Sequence, residues 1–490
     1  MNSKLDLVVK NVRVVRPNKS SVDLLDIGIK DGKFARLAPE IRAEEAAQVI
    51  DGKNRLGFPG CVDAHMHVGI YQDLDVDAVT ESKAAAMGGV TSSLNYMRTG
   101  QYYLNRGGSW HQFMPEVLRL AEGNFWVDYG FHMAPIESGH IDEMEEMATR
   151  FGVPSFKIFM FYGGYGLHGK SSDQNEFLMI GPDETYDVAH FEFIMRSARK
   201  LMLARPEIAD SVSVSLHCEF ADILNAYTKI VERDSKLDGL AAYSAARPPH
   251  SEGLAIWIAS YLANETGCPN INLLHLSSKK AIDAAMMMQR VFPHINFRRE
   301  VTVGHLMLDV DCECAVQAKV NPPIRPRPDV EALWEAVLNR DVDWIVSDHA
   351  CCSAEQKWSS KFPKNIWLAK SGFGGTEYLL PSIVSEGSKR GMSYNHMAEL
   401  LSWNPAKRYG LLNKGDIALG YDADLVLVDP HKSFTVRAAD SLSKQGYTPF
   451  EGIEISASVK TTMLRGETVF NDGNIVGPAR GQYLRRPLIR

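Results

Sequence analysis

The residues able to do chemistry in this chain fall in four short patterns. They are Asp63-Ala64-His65-Met66-His67, Ser155-Phe156-Lys157-Ile158-Phe159, Leu216-His217 with Leu274-His275, and Ser347-Asp348-His349. Each closes a short apolar run bounded by turn residues, which is where a barrel of alternating strands and helices presents its working groups. His65 and His67 stand two apart, so on a strand both rings leave the same face. His217 and His275 add two more imidazoles and Asp348 a carboxylate. That inventory suits divalent cations, zinc first among them, and exceeds what one closed mononuclear site takes. Two cations ~3.5–4 Å apart account for it.

Lys157 needs a separate reason. An ammonium would add to the repulsion between two dications, whereas a neutral amine can take up CO2 and become a carbamate with two bridging oxygens. A desolvated lysine beside cations has its pKa lowered, which makes that neutral amine available. Alone, Lys157 would read as a snorkelling or salt-bridged side chain. Asp348 beside the metals can hold one cation and accept the proton of a bridging water; in isolation it would be a helix cap or a structural ion pair. Tyr162, five residues beyond Lys157, can set its hydroxyl over the metals as an oxyanion donor, or belong to the core.

These groups require a scaffold of strands. Candidate strands are Cys61–Met66, Thr91–Met97, Trp126–Ala134, Ser155–Phe161, Val212–Leu216, Ile271–Leu276, Ala315–Val320 and Asp343–Ser347. Helical patterns such as Val79–Met87, Ile141–Arg150, Glu252–Glu265 and Val330–Leu338 lie between them. The alternation predicts an α/β fold, a (β/α)8 barrel with its chemistry on the loops after the strands. Up to about Phe58 the chain is β-rich, with runs Leu5–Val15, Asp26–Leu37 and Gln48–Leu56. The end reads the same way, from Ala423 to Val428, Ala457 to Leu464 and Glu467 to Val476. Both ends then build one small sheet domain, with boundaries 1–58, 59–411 and 412–490. Two long segments, Arg98–Gln112 and Gly163–Val188, carry Tyr102, Tyr103, Tyr165 and His168. They are lids or substrate walls favouring a planar or apolar substituent, or else oligomer contacts.

Composition narrows the class further. The 490 residues are 45% hydrophobic and 23% charged, with a net charge of -7 that gives no reason to expect nucleic acid or an anionic membrane as partner. The four arginines from Arg480 to Arg490 read as a solvated or oligomer-docking tail. Seven cysteines in no regular framework predict reduced thiols and a cytoplasmic compartment. The N-terminus alternates like a strand and lacks a signal-peptide core, and no apolar stretch approaches ~20 residues.

Five motifs together carry a resemblance. Gly60-Cys61-Val62-Asp63-Ala64-His65-Met66-His67, Phe156-Lys157-Ile158-Phe159-Met160, Asn321-Pro322-Pro323-Ile324-Arg325, Ser347-Asp348-His349 and Asn404-Pro405-Ala406-Lys407 resemble the cyclic amidohydrolases, most closely the dihydropyrimidinase/hydantoinase branch. The likeness runs on through Gly415 to Leu425. It implies a (β/α)8 barrel with a small β-sandwich from both termini, and two zinc ions bridged by hydroxide and carboxylated Lys157. His65, His67 and Asp348 would hold one metal, His217 and His275 the other. The implied reaction is attack on a ring carbonyl polarised by metal and Tyr162, with Asp348 carrying the proton to the leaving nitrogen. The cyclic amide would be read largely through backbone groups at Asn321 and Ser371, in a homotetramer or homodimer.

There are departures. Hydantoinases commonly carry Ser where Asn321 stands and Asn where Ser371 stands. Gly69 occupies the position where dihydroorotases place a carboxylate-gripping arginine, which argues against that activity. The expected function is therefore opening of a hydantoin, dihydropyrimidine or related cyclic ureide or imide. An allantoinase-like or other C–N hydrolysis of a bulkier substrate is the alternative. A non-catalytic scaffold of the same fold is disfavoured because no ligand position is missing.

Overall fold

A computed structural model describes residues 4–164, 166–167, 174–234, 236–358 and 365–487. Eight strands follow one another as neighbours: Cys61–Met66, Val90–Met97, Asp128–Met133, Ser155–Phe159, Ser213–His217, Asn270–Leu273, Asn296–Thr302 and Trp344–Val346. They are called strands 1 to 8 below. All adjacent pairs run parallel. The circle closes where Met66 bridges His349 and the His67 N–H donates to the His349 carbonyl at 2.8 Å. Every residue of strands 1 to 6 is buried, as a parallel sheet covered on both faces demands. Helices such as Leu74–Met87, Ser138–Arg150, Pro249–Thr266 and Arg327–Leu338 form the outer layer.

Strand 7 is not where the apolar pattern put it. Ala315–Ala318 is a short 3-10 turn, and the strand is Asn296–Thr302, whose polar sequence hides it. Arg298 and Arg299 are tied to Asp343 at 2.7 and 3.1 Å, and Glu300 is fully buried. The run Asp26–Leu37 is likewise two strands, Asp23–Lys30 and Lys33–Ala38. They are folded about Asp31 and Gly32, both at positive φ.

Both ends of the chain meet in one nine-stranded sheet. The seam is the antiparallel pair Leu56–Pro59 and Leu425–Asp429. Leu7, Val9, Ile27, Phe34, Leu427 and Met463 give this sheet its own apolar core. The two termini thus build the small β domain that the sequence predicted.

Two further expectations are corrected. Residues 481–486 are only partly solvated: Gln482 and Arg485 are exposed, but Leu484 and Arg486 are buried. The Gly481 and Leu484 N–H groups donate to the Phe125 and Tyr129 carbonyls, and Arg486 is buried, its guanidinium donating to Phe131 O. One guanidinium nitrogen and the backbone amides of Gly481, Leu484 and Arg486 find carbonyls on the barrel. Cys312 and Cys314 form a disulfide, so not all seven thiols are reduced; the close C-x-C spacing lies outside a C-x-x-C reading. The other five cysteines are buried and unpaired. Among the described residues, no helix is long and apolar enough to cross a membrane.

Candidate metal centre

Strand 1 turns Asp63, His65 and His67 to the barrel interior. Asp63 is the girder of the three: it accepts the Ser347 N–H at 3.0 Å, the Ser347 hydroxyl at 2.5 Å and the Thr376 hydroxyl at 2.9 Å, tying strand 1 to the end of strand 8. Above it, His65 Nε2 and His67 Nε2 stand 3.2 Å apart. Asp348 Oδ1 approaches them at 3.1 and 3.2 Å. Lys157 Nζ from strand 4 lies 3.1 Å from His65 Nε2. The His275 ring is 5.3 Å from that of His65 and 4.3 Å from that of His217. The structure thus brings together all six residues named from the sequence. His275 (φ 34°) and Asp348 (φ 55°) both sit in the left-handed region, a local strain that the surrounding strand ends hold in place.

The electrostatics keep these groups ready to donate lone pairs. Burial drives His65 and His275 well below the ordinary histidine range and His217 to about 4, so the imidazoles are neutral near pH 7. Burial pushes the Asp348 carboxyl up, but His65, His67 and Lys157 outweigh it and hold it below the usual carboxylate range. Burial lowers the Lys157 amine to about 8. His275 Nδ1 is buried with no hydrogen-bond partner, and the donor atoms of His65, His275 and Asp348 lie within 4.8 Å of one another. Neutral imidazoles, an ionised carboxylate and an orphaned ring nitrogen fit divalent cations with nitrogen and oxygen ligands.

Sequence reasoning missed the residues that orient these groups. His65 Nδ1 meets Glu300 Oε1 at 2.7 Å, and Glu300 also accepts from His275 N and the Trp344 indole at 3.1 and 2.8 Å. His217 Nε2 meets Glu219 Oε2 at 2.7 Å, and Arg247 donates to both oxygens of Glu219. Tyr103 OH bonds His67 Nδ1. His349 Nε2 meets Glu81 at 2.7 Å while its Nδ1 accepts the Gly375 N–H at 3.0 Å, which anchors the loop carrying Asp348. Glu219 carried a signal, a carboxylate two residues beyond His217. Glu300 lay on the strand whose pattern was not apolar.

A cavity opens over the site, and Tyr162, Asn321 and Ser371 all line it. The Asn321 side chain is already engaged, accepting from Tyr243 OH at 2.6 Å and donating to Leu167 O at 2.7 Å. The Ser371 carbonyl accepts from Tyr71 OH at 2.5 Å. Behind this wall, the Lys319 amine donates to Ala369 O at 2.6 Å. The Lys357 amine donates to Lys319 O and Gly372 O at 2.9 and 2.7 Å, so the two lysines tie the segment of Asn321 to that of Ser371. Burial lowers both amines, Lys357 to about 7. Tyr103 belongs to the same cavity, Tyr102 packs edge-on to Tyr71 beside it, and Tyr165 and His168 lie outside the described residues.

A family model described as "Amidohydrolase family" matches residues 200–469. The chain is similar to the allantoinase of Rubrobacter xylanophilus, 31% identical over 491 residues, covering 99% of this chain and 98% of that one. It is 29% identical to the allantoinase of Escherichia coli O139:H28 over 487 residues, 98% of each. Among solved structures, the dihydropyrimidinase of Brevibacillus agri superposes with a TM-score of 0.83 at 25% identity, covering 98% of both chains. A D-hydantoinase superposes at 0.84 and 25% identity, covering 98% of this chain and 99% of the other.

Proposed function

Because the chain belongs to the amidohydrolase family, in its cyclic amidohydrolase branch, we propose that it is a two-metal hydrolase opening a five-membered cyclic ureide. The substrate read here is a hydantoin ring with a polar substituent at C5, of which allantoin, the 5-ureido compound, is the type. The observation that carries the reading is the convergence of four neutral imidazoles, Lys157 and an ionised Asp348 beneath one cavity. Zinc is the cation assigned, with His65, His67 and Asp348 on one ion, His217 and His275 on the other, and carbamylated Lys157 between them. When bound, the cations supply an activated water and Lewis acidity at the ring carbonyl.

The chain's own groups do the rest. Asp348, against both strand 1 histidines, takes the proton of the attacking water and returns it to the ring nitrogen as the C–N bond breaks. Tyr162 donates its hydroxyl to the carbonyl oxygen as charge develops there. Backbone groups of Asn321 and Ser371 read the ring, since the Asn321 side chain is already taken up by Tyr243 and Leu167. The products are a carboxylate and an open ureide. In this reading the barrel is 59–411, the flanking segments 1–58 and 412–490 form the terminal sheet and tail, and the enzyme is a cytoplasmic homo-oligomer.

Substrate choice rests on the lining. Ile70, Phe159, Phe161 and Val320 can cover the faces of a planar ring, while the hydroxyl-bearing side chains of Tyr71, Tyr103 and Tyr162 edge the same space. The full-length similarity to allantoinases supports a ureido substituent. The edge-on pair Tyr71–Tyr102 favours a second reading, a hydantoin with an aryl substituent. Comparing kcat/KM for allantoin, 5-phenylhydantoin and dihydrouracil on protein of measured metal content decides between them. Preference for dihydrouracil would remove both readings. Turnover of none of the three by protein holding two metal equivalents would favour the scaffold.

A further inference from the structure

Arg98 follows strand 2 and is fully buried, yet it makes no ion pair among the described residues. Its Nη1 donates to the Thr99 carbonyl at 2.9 Å and its guanidinium faces the Tyr162 hydroxyl, while among the described residues Nε and Nη2 are buried and make no hydrogen bond of ordinary geometry. What surrounds the guanidinium is aromatic: the rings of Tyr103, Tyr162 and Phe177 lie 5.5, 5.3 and 5.0 Å from its central carbon. A buried cation is ordinarily matched by a carboxylate, because desolvation without a partner is costly. Here the compensation comes from ring faces and phenolic oxygens, and two of those rings line the cavity over the metal centre.

We propose that Arg98 is a positioning residue for ring opening, fixing the Tyr162 phenol at the cavity wall and lending it positive potential as negative charge develops on the carbonyl oxygen. The proposal rests on the role given to Tyr162 above. Burial raises the Tyr162 phenol and Arg98 opposes that rise, and the same guanidinium lies 5.5 Å from the ring of Tyr103, whose hydroxyl bonds His67. One fixed cation therefore faces both the oxyanion donor and the phenol that orients a strand 1 histidine. A fixed charge needs no rearrangement when the transition state forms, which is what makes such a group effective in a dry site. A purely structural role, stapling the loop after strand 2 to the loop after strand 4, predicts a different pattern of losses.

The test is a double-mutant cycle between Arg98→Met and Tyr162→Phe, with Arg98→Lys and Arg98→Gln alongside. Each protein is assayed for kcat, KM and metal content on the fastest substrate of the panel above. Tyr162→Phe is expected to lower kcat by about 10²–10³-fold. Arg98→Met should lower kcat by about tenfold or more with KM little changed, Arg98→Lys should keep most of the activity, and Arg98→Met should cost far less once Tyr162 is Phe. Equal cost of Arg98→Met in both backgrounds would overturn the proposal, as would Arg98→Lys failing as badly as Arg98→Met. If the Met variant does not fold, Arg98→Gln, which keeps donors and loses the charge, takes its place in the cycle. An unchanged kcat for Tyr162→Phe alone would instead sink the reading of Tyr162, a separable result.

Discussion

The two sides of the metal centre are backed by carboxylates of opposite character. Glu219, behind His217, is gripped by the fully buried Arg247; burial alone would raise it, but Arg247 and His217 outweigh burial and hold it at about 2. Glu300, behind His65, is met by an indole N–H, a backbone N–H and an imidazole, and burial pushes it up to about 8. One carboxylate carries a charge compensated by the fold itself. The other is kept protonated near neutrality by its burial. The carboxylate behind His217 is therefore set by folding alone, whereas under the proposed function the one behind His65 would take its charge on metal loading.

Lys157 stands between the sides, and its removal should have the largest effect. Lys157→Ala is expected to lose activity to background, and short carboxylic acids with zinc should restore part of it, because the bridge requires two oxygens. Full activity in Lys157→Arg would sink the carbamate, since a guanidinium cannot form one. Asp348 belongs to the strand 1 side alone. Asp348→Asn should lower kcat by roughly 10²–10⁴-fold with a smaller change in KM.

Glu219→Gln and Glu300→Gln separate the sides directly. Glu219→Gln removes the carboxylate to which the buried Arg247 donates twice, so urea unfolding should show a loss of about 3–5 kcal/mol even without metal. A loss well below 1 kcal/mol would mean that the Arg247 pair is not what completes this side. Glu300→Gln should cost little stability in metal-free protein while weakening cation affinity about 10–100-fold. The pH dependence carries the sign. In metal-free protein the folded Glu300 carboxyl holds its proton up to about 8 while the unfolded one releases it near 4.5. Its contribution is thus complete below about 4.5 and lost as pH rises through about 8. Glu300→Gln should flatten that slope; an unchanged slope would assign it elsewhere.

The smallest effect lies outside both sides. Lys357 is lowered from 10.5 to about 7, so between those values the unfolded chain binds a proton that the folded one does not. Stability should rise with pH across that window. Wild type should gain on Lys357→Met by at most about 1.4 kcal/mol per pH unit, measured as the difference in unfolding free energy at pH 7 and 9.

What the sequence revealed follows from how each element is built. His65, His67, Lys157, His217, His275 and Asp348 stood out because residues able to bind metal recur in or just after short buried strands bounded by turn residues. Asn296–Thr302 did not, since its arginines are neutralised by Asp343 and its glutamate by partners distant in sequence. Arg98 looked like an ordinary loop arginine, because a cage of rings drawn from two loops has no local signature. Arg486 looked solvated for the same reason: the Phe131 carbonyl that receives it belongs to the third strand.

That closing segment has a consequence for the order of assembly. During synthesis from the N-terminus all eight strands emerge before residues 481–486 do, and until then the carbonyls of Phe125, Tyr129 and Gly152 lack the amides that finally meet them. A nascent barrel is a cup without a base. It can gather its histidines at the mouth while water still reaches the Tyr129 and Phe131 backbone from below. A chain cut short of residue 481 would lack the amides that meet Phe125, Tyr129 and Gly152, and its barrel floor would stay open to water.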